Sequence, residues 1–418
     1  MTPINSSDDS LNLRNSSEPG AVPSPPKIAQ PHMSQSRRSI VGTNSTIERL
    51  VRDASAKHAS DVHLQVGELP RYRIRGQIVR QADHALITLE KFEQFLSEIL
   101  TPEQRDRFRQ EKELDTAIYY PGFLRCRVNC FENLSGGSIV LRLISLAVPS
   151  IDQLGLPAIM KHLVGHSQGL ILVTGPTGSG KSTSIAAMIR QLNMTEHRHI
   201  VTIEDPIEYV HSSQKCLISQ REVGLHTHEF HQALRAVLRE DPDVILIGEL
   251  RDRVSVDTAL KAAQTGHLVL GTLHTKSAIG TVNRLLNLYN PDEQPAMRLQ
   301  ILESLIAVIS QQLLPTTDGH RTAVHEILVN TPAMQDYLLK GNDIEAFHLM
   351  ETDTNDGMQV MNQVLCDLIL EGRVTPDDAV KATPDLGDLR RRVRNEGFDP
   401  GRSSNREFDP SARVYNPA

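Results

Sequence analysis

The sequence is poor in cysteine and lacks the apolar segments of a membrane or exported protein. It has four cysteines in 418 residues and no C-x-x-C pair, which argues against a disulfide framework and a four-thiolate zinc site. No stretch approaches the ~18 consecutive apolar residues of a membrane-spanning helix. The first residues also lack the charged-then-apolar pattern of a signal peptide. These absences favour the reducing cytoplasm, with any membrane association made through a partner.

The charge of the chain does not indicate a nucleic-acid partner. The formal net charge is −7 and the pI is near 6.2, and no block of like charge resembles a basic arm. A nucleic-acid translocase would need a basic channel for the phosphate backbone. We therefore expect no nucleic acid among the partners.

Two polar ends enclose two segments with regular apolar patterns. The ends are rich in Ser, Pro and other polar residues, as is typical of disordered tails. The second end repeats Phe-Asp-Pro at 398–400 and 408–410, which leaves a docking peptide open as an alternative. The predicted organisation is a tail at 1–45, a small mixed α/β domain at 46–149, a second α/β domain at 150–385 and a tail at 386–418.

The second domain carries the alternation of strands and helices that is typical of a parallel sheet. Near-continuous apolar runs are separated by helical segments, which predicts a sheet covered on both faces. From about 280 to 385 the pattern becomes mostly helical, with a strongly apolar stretch at Ile301–Leu314. The predicted parallel strands are 169–174, 199–203, 243–247 and 267–272.

The first predicted parallel strand runs into a glycine-rich turn that ends in lysine. Gly175, Gly180, Lys181 and Ser182 satisfy the G-x-x-x-x-G-K-[ST] pattern of a phosphate-binding loop. Glycines allow successive backbone N–H groups to point at phosphate oxygens, and the following helix presents its positive end to the anion. Lys181 would reach the β- and γ-phosphates. We expect ATP or a close relative to be bound by Gly175, Pro176, Thr177, Gly178, Ser179, Gly180, Lys181, Ser182 and Thr183.

Acidic residues follow two predicted strands and are expected to meet at one edge of the sheet. Glu249 ends the apolar run before it, with Gly248 where many ATPases of this type have Asp. Glu204, Asp205 and Glu208 follow the strand 199–203, and the carboxyl ends of parallel strands form the ligand-binding edge. Mg²⁺ prefers such oxygen ligands. We expect Ser182, Asp205 and Glu249 to hold Mg²⁺, with Glu204 and Glu208 around the attacking water; capping or surface roles are the alternative.

Histidines bracket the last predicted parallel strand. His267 precedes it and His274 follows it, and a histidine at the sheet edge can donate to a γ-phosphate and report its loss. The alternative is a structural role for both. His226, His228 and His231 have a suggestive spacing, but without further paired ligands they do not predict a metal site.

Longer motifs make the chain resemble the hexameric type II/IV secretion ATPases and, among them, the motors that retract type IV pili. The resemblance runs from about 46 to 385. It rests on Ser60–Leu64, Arg73–Gly76, Arg125–Asn129, Gly175–Thr183, Glu204–Glu208, Arg221–Gly224, Ala236–Asp252 and Thr265–Thr275.

The resemblance implies a fold and assigns roles to individual residues. It implies a PAS-like N-terminal domain, followed by a RecA-like P-loop ATPase domain with a helical C-terminal part. It makes Glu208 the general base and implies that arginines of the N-terminal domain reach the nucleotide, with Arg125, Arg127 and Arg142 as candidates. The catalytic set is then Glu208, Glu249, Glu204, Lys181, His274 and His267.

The resemblance also implies partners and a place of action. It implies a cytoplasmic homohexamer that uses ATP and Mg²⁺ at the base of the pilus, peripheral to the inner membrane. Its partners would be an inner-membrane pilus platform protein and other pilus ATPases. The work done would be pilin depolymerisation, which powers twitching motility.

Two alternative functions stay open. The retraction branch carries two arginines in a segment that aligns with Ala333–Lys340, where this chain has Gln335 and Leu339. This departure leaves open a nucleotide-binding regulatory paralogue. The other alternative is a pilus-extension or type II secretion ATPase, although such proteins carry a larger N-terminal region and usually a four-cysteine metal site.

Overall fold

An antiparallel sheet organises the first part of the computed structural model, which describes residues 46–353 and 356–395. Its strands are β1 (Ala59–Gln65), β2 (Arg71–Ile74), β3 (Gln77–Arg80), β4 (Glu113–Tyr120), β5 (Leu124–Asn133) and β6 (Gly136–Ser145), in the order β3-β2-β1-β6-β5-β4. The helices beside it are α1 (Thr46–Ala56), α2 (Leu89–Ile99) and α3 (Pro102–Glu111).

The apolar pattern of the sequence explains these elements. Helix α1 buries Ile47, Leu50, Val51 and Ala54 along one face, as residues three and four apart do. Helix α3 begins at a capping box in which the Thr101 side chain and its partner three residues on satisfy each other's backbone N–H groups. The mixed α/β character predicted for this part of the chain is therefore confirmed.

A mostly parallel sheet organises the rest. Its strands are β7 (Gly169–Thr174), β8 (His199–Glu204), β9 (Leu217–Glu222), β10 (Val244–Ile247), β11 (Leu268–Leu273), β12 (Leu305–Pro315) and β13 (Arg321–Val329), in the order β13-β12-β7-β11-β10-β8-β9. Only the β12–β13 pairing is antiparallel among these strands. The helices are α4 (Ile159–Leu163), α5 (Lys181–Thr195), α6 (Phe230–Val237), α7 (Arg253–Gln264), α8 (Ala278–Leu286), α9 (Gln294–Ser304), α10 (Pro332–Lys340), α11 (Asp343–Thr352), α12 (Met361–Leu370), α13 (Pro376–Ala382) and α14 (Leu386–Asn395).

Both faces of the parallel sheet are buried. Successive side chains of a strand point to opposite faces. In β7, Leu170 and Leu172 therefore join the core formed with α6, α7 and α8, whereas Ile171 and Val173 join the core formed with α4 and α5. The expected doubly covered sheet is confirmed, and the fold is mixed α/β as predicted. No helix in the described ranges is both long and apolar enough to cross a membrane.

The hairpin of β12 and β13 departs from the structure that the sequence pattern predicts. The pattern from about 280 to 385 predicts mostly helix, but the apolar stretch Ile301–Leu314 includes the end of helix α9 and then forms a strand from Leu305. A short run that is apolar throughout has no period that separates a buried strand from a buried helix. The correction matters because β12 lies next to β7, the strand that leads into the glycine-rich turn.

A second difference concerns the predicted C-terminal tail. The tail was expected from 386 onward, but 386–395 form the helix α14, whose Leu389 is buried in one core with α12. Asn362 of α12 also donates to the backbone oxygen of Asp385 at 2.8 Å. The predicted tail at 1–45, the remainder of the second tail and both Phe-Asp-Pro repeats lie outside the described residues.

Candidate functional site

A cavity of about 1230 Å³ opens at the carboxyl ends of the parallel strands. One wall includes the turns that follow β7, β8, β10 and β11, together with residues of nearby helices and of the β12–β13 hairpin. The other includes residues of β1, β2 and β6 from the antiparallel sheet. The predicted site residues that line it are Thr177, Gly178, Gly180, Lys181, Ser182, Thr183, Glu204, Asp205, Glu208, Glu249, His274 and Arg142.

The glycine-rich turn wraps around its own lysine. Gly175, Gly178 and Gly180 have φ values of 143°, 81° and 87°, in the left-handed region that favours glycine. The Lys181 Nζ donates to the backbone oxygens of Gly175 at 2.7 Å and Pro176 at 3.1 Å. Burial lowers the pKa of Lys181, although the nearby Glu249 and Glu208 carboxylates oppose the shift. The turn therefore places the Lys181 ammonium group beside the N-terminus of helix α5, where a phosphate group can bind.

Strand β12 holds this turn in shape through Gln311, a residue that the sequence analysis did not single out. The buried Gln311 amide donates to the Ser179 backbone oxygen at 2.6 Å, and its Oε1 accepts from Ser184 Oγ at 2.7 Å. A Cβ at Gly175 would lie 2.1 Å from the Gln311 backbone oxygen, so a side chain there would displace the strand.

A buried histidine supports Gln311 from the neighbouring strand. Burial lowers the pKa of His325 to about 4, so its ring is neutral near pH 7. Its Nε2 lies 3.2 Å from Gln311 Oε1, and because that oxygen can only accept, Nε2 must carry the proton. The β12–β13 hairpin thus fixes one side of the phosphate-binding turn.

Glu249 lies between two basic side chains at the end of β10. Arg251 Nε donates to its Oε2 at 2.8 Å, and His274 Nε2 lies 3.3 Å from its Oε1. His274 Nδ1 is 3.5 Å from Lys181 Nζ. The structure therefore brings Lys181, Glu249 and His274 together as predicted, and adds Arg251 to them.

Glu204 anchors the turn that carries Glu208. Its carboxylate accepts from Thr202 Oγ1 at 2.7 Å, from Gln220 Nε2 at 3.2 Å and from the backbone N–H of Glu208. Burial nevertheless raises the pKa of Glu204 to about 7, against the opposing effect of these hydrogen bonds. Glu208 itself is exposed to the cavity, where it can meet a water molecule.

The two predicted histidines lie at opposite ends of β11. The His267 backbone oxygen accepts from the Gly169 N–H at the start of β7, and its Nδ1 lies 2.9 Å from the Ala262 oxygen. Since ligands bind at the carboxyl edge of a parallel sheet, the amino end of β11 cannot reach the phosphates. The expectation that His267 senses the γ-phosphate is wrong, whereas His274 lies in the cavity.

Asp61 presents two arginines to the cavity from the antiparallel sheet. It lies in register with Arg73 of β2 and Arg142 of β6, and such cross-strand neighbours interact directly. Asp61 accepts from Arg142 Nε at 2.9 Å and lies 3.5 Å from Arg73 Nε. Arg142 was predicted, whereas Arg73 was not proposed as a nucleotide contact; its register with Asp61 is visible only once the strands are paired.

The other two candidate arginines are held elsewhere. Arg125 is buried in an ion pair with Glu222, and Arg127 lies 3.9 Å from Asp115 of β4. Neither is among the residues that line the cavity. The expectation that they contact the nucleotide is therefore corrected. Their sequence positions in β5 do not reveal that Arg125 pairs with Glu222 and Arg127 lies beside Asp115.

The residues proposed for Mg²⁺ suit that ion. Ser182, Asp205 and Glu249 all line the cavity and offer only oxygen atoms. Within the described ranges no three His, Cys, Asp or Glu side chains cluster to form a protein cage for a metal. Mg²⁺ is usually held by one or two carboxylates together with substrate phosphates and water, so these donors fit it. Of the three histidines with suggestive spacing, His231 lies 3.2 Å from a carboxylate oxygen of Asp252.

Fold and site together define a P-loop nucleoside triphosphatase: a buried strand, a glycine-rich turn with its lysine, and carboxylates at neighbouring strand ends. The chain belongs to the Type II/IV secretion system protein family, whose model matches residues 39–381.

Several characterised proteins are similar to this chain over most of its length. It is 40% identical over 333 residues to the Type IV pilus retractation ATPase PilT of Pseudomonas aeruginosa, covering 80% of this chain and 96% of that protein. It is 42% identical over 327 residues to a twitching motility protein of Neisseria gonorrhoeae, covering 78% and 84%. A crystal structure of the pilus retraction motor PilT with bound ADP matches with a TM-score of 0.78 and 40% identity, covering 83% of this chain and all of the other.

Proposed function

We propose that this protein is the ATP-driven motor that retracts type IV pili. The observation that carries the proposal is the cavity in which Lys181, Glu249, His274 and Glu208 meet beside a phosphate-binding turn. The similarity to PilT over nearly the whole of that protein supports pilus retraction as the work done. Retraction removes pilin subunits from the pilus and would power twitching motility.

In this proposal the phosphate-binding turn and the carboxylates divide the work. The N–H groups of the turn and Lys181 bind the β- and γ-phosphates, and Lys181 exchanges its present bonds to Gly175 and Pro176 for phosphate oxygens. Ser182, Asp205 and Glu249 would hold Mg²⁺. When bound, the ion neutralises charge on the phosphate oxygens.

Glu208 is proposed to remove a proton from the attacking water. It is exposed to the cavity, and its backbone N–H donates to Glu204. The backbone position from which its side chain extends is therefore held in place, as a general base requires. His274 contacts both Glu249 and Lys181. It can therefore donate to the γ-phosphate and change its contacts when that group leaves.

Arg73 and Arg142 are proposed to contact the nucleotide from the antiparallel sheet. Both line the cavity opposite the phosphate-binding turn. Contacts that form with ATP and are lost after hydrolysis would let the two sheets change their separation, in the manner of ligand-held closure.

The proposed assembly is a homohexamer at the base of the pilus on the cytoplasmic side of the inner membrane. An inner-membrane platform protein would receive the motion, and other pilus ATPases are further candidate partners. The family resemblance supports this assembly. A division into a first domain at 46–149 and a second domain that begins at 150 and includes α14 is also proposed, with one sheet in each.

ATP hydrolysis by the purified protein tests the proposed activity. We expect Lys181→Ala to lose nucleotide binding, and Glu208→Gln to bind ATP while hydrolysis falls by about 10²-fold or more. Glu229→Gln, at an exposed position outside the cavity, is the matched control. Hydrolysis by Glu208→Gln at the wild-type rate would refute the assignment of the base.

Counting surface pili in a deletion strain tests the direction of the work. A retraction motor predicts excess, immobile pili, whereas an extension or secretion motor predicts their loss.

The regulatory paralogue remains a second candidate because Gln335 and Leu339 replace arginines of the retraction branch. Gln335 donates to the Leu302 backbone oxygen at 3.3 Å. Absence of ATP turnover by the isolated protein would favour that candidate.

A further inference from the structure

A buried ion pair joins the two sheets next to the turn that carries Glu208. Arg125 of β5 donates through Nη2 to Glu222 of β9. Their side chains are only 8% and 6% exposed, so neither charge is satisfied by water. Removing one partner of such a pair leaves the other charge buried and unpaired.

The pair also holds the backbone just before Glu208. Arg125 Nη1 donates to the Ile207 backbone oxygen at 3.2 Å, and the Ile207 N–H lies 3.3 Å from Glu222 Oε2. Both polar atoms of this buried residue are thus bound by the same ion pair. We call Arg125, Glu222 and the backbone of Ile207 the clasp.

The clasp acts on the peptide unit from which Glu208 extends. The oxygen of that unit belongs to Ile207 and accepts from Arg125, and its N–H belongs to Glu208 and donates to Glu204. One end of the peptide is therefore fixed by the antiparallel sheet and the other by strand β8. A shift of the antiparallel sheet would release only the first of these contacts.

We propose that Arg125 is a positioning residue that sets the carboxylate of Glu208 for catalysis only when the two sheets are docked. The inference rests on the proposed role of Glu208 as the general base. Arg125 acts without touching the nucleotide, because its guanidinium is occupied by Glu222 and Ile207. Through Arg125, docking of the antiparallel sheet is coupled to the hydrolysis step, in addition to the nucleotide contacts proposed for Arg73 and Arg142.

The double variant Arg125→Met/Glu222→Met tests positioning apart from stability. Replacing a buried ion pair by apolar side chains is often neutral for stability, but here it removes both bonds to Ile207. We expect kcat for ATP hydrolysis to fall by about tenfold or more, since small displacements of a catalytic group have effects of this size. The KM for ATP should stay within about twofold. The urea midpoint, measured alongside, reports the cost of leaving the buried polar atoms of Ile207 without these bonds.

A second pair provides the matched control. Arg392 and Glu351 form a partly buried ion pair between α14 and α11 and do not line the cavity. The variant Arg392→Met/Glu351→Met should leave both kcat and KM unchanged. If the Arg125 double variant fails to fold, Arg125→Lys decides, because a lysine keeps the charge but lacks the fork that reaches Glu222 and Ile207 together.

Each outcome has one meaning. A kcat equal to that of the wild type in the double variant, or in Arg125→Lys if only that variant folds, overturns the inference. A rise in KM with kcat unchanged also overturns it, because that result would make Arg125 a nucleotide contact. If the wild-type protein itself does not hydrolyse ATP, the proposed function fails and the clasp is not the cause.

Discussion

Glu204 illustrates how burial at the end of a strand changes the behaviour of one carboxyl group. It was predicted to belong to the catalytic set, and it does line the cavity. Its carboxylate, however, is engaged by Thr202, Gln220 and the backbone of Glu208. Its direct effect is therefore on the shape of the turn 205–209, and Glu208 is the acid that faces open space.

The raised pKa of Glu204 makes a prediction about stability and pH. Because burial raises this pKa from 4.5 to about 7, the folded protein binds more protons at this site than the unfolded chain between those values. Its contribution to stability is full below pH 4.5 and is lost as the pH rises toward 7. The free energy of unfolding of Glu204→Gln, relative to wild type, should therefore increase from pH 5 to pH 8.

Urea unfolding at several pH values measures this difference. Glu229→Gln, which removes an exposed carboxylate, should run parallel to the wild type over the same interval. A constant difference between Glu204→Gln and the wild type from pH 5 to pH 8 would show that Glu204 does not titrate in this range.

At the scale of elements, the sequence pattern predicted the parallel strands that are nearly continuous apolar runs between helices. It did not predict β13, which carries polar residues inside the protein. Strands β7, β8, β10 and β11 were predicted within about one residue of their bounds, because parallel strands are buried on both faces and read as apolar runs. Strand β13 was missed since it carries polar residues such as His325 and Glu326 inside the protein.

The same limit applies to the candidate site. The glycine-rich turn, Glu208, Glu249 and His274 could be predicted, because each lies directly after a predicted parallel strand. Gln311 could not be predicted, since its bonds to Ser179 and Ser184 depend on β12, a segment for which the sequence pattern predicts a helix. Arg125 was misplaced because its partner, Glu222, is 97 residues away in sequence.

The contribution of β12 to nucleotide binding can be measured at Gln311. The variant Gln311→Glu keeps the acceptor for Ser184 but replaces the donor to the Ser179 oxygen by an oxygen that repels it. We expect the Kd for a fluorescent ATP analogue to rise by about tenfold, which corresponds to the loss of roughly one buried hydrogen bond. Gln312→Leu is the control, because Gln312 bonds to Ala382 instead. Equal affinity in wild type and Gln311→Glu would mean that β12 does not shape the turn.

At the scale of the whole molecule, the cavity is completed by residues of both sheets. The parallel sheet and its turns supply several carboxylates together with Lys181, Arg251 and Arg321, and the antiparallel sheet supplies two arginines that share Asp61. Asp61 is only 5% exposed, whereas Arg142 is 66% exposed. A fixed anion thus orients cations that would otherwise be free to move, so the antiparallel sheet completes a site whose phosphate-binding turn lies in the parallel sheet.

The variant Asp61→Asn tests whether this orientation matters. If Asp61 aims the arginines at the nucleotide, its loss should lower kcat/KM for ATP by about five- to tenfold, because correctly held contacts supply part of the rate. If the arginines act only through their charge, removing a carboxylate should leave kcat/KM the same or raise it. Asp83→Asn removes one negative charge at an exposed position of the same part of the chain and should have no effect. The sign of the change in kcat/KM for Asp61→Asn, compared with that control, therefore shows whether the arginines act through their orientation or only through their positive charge.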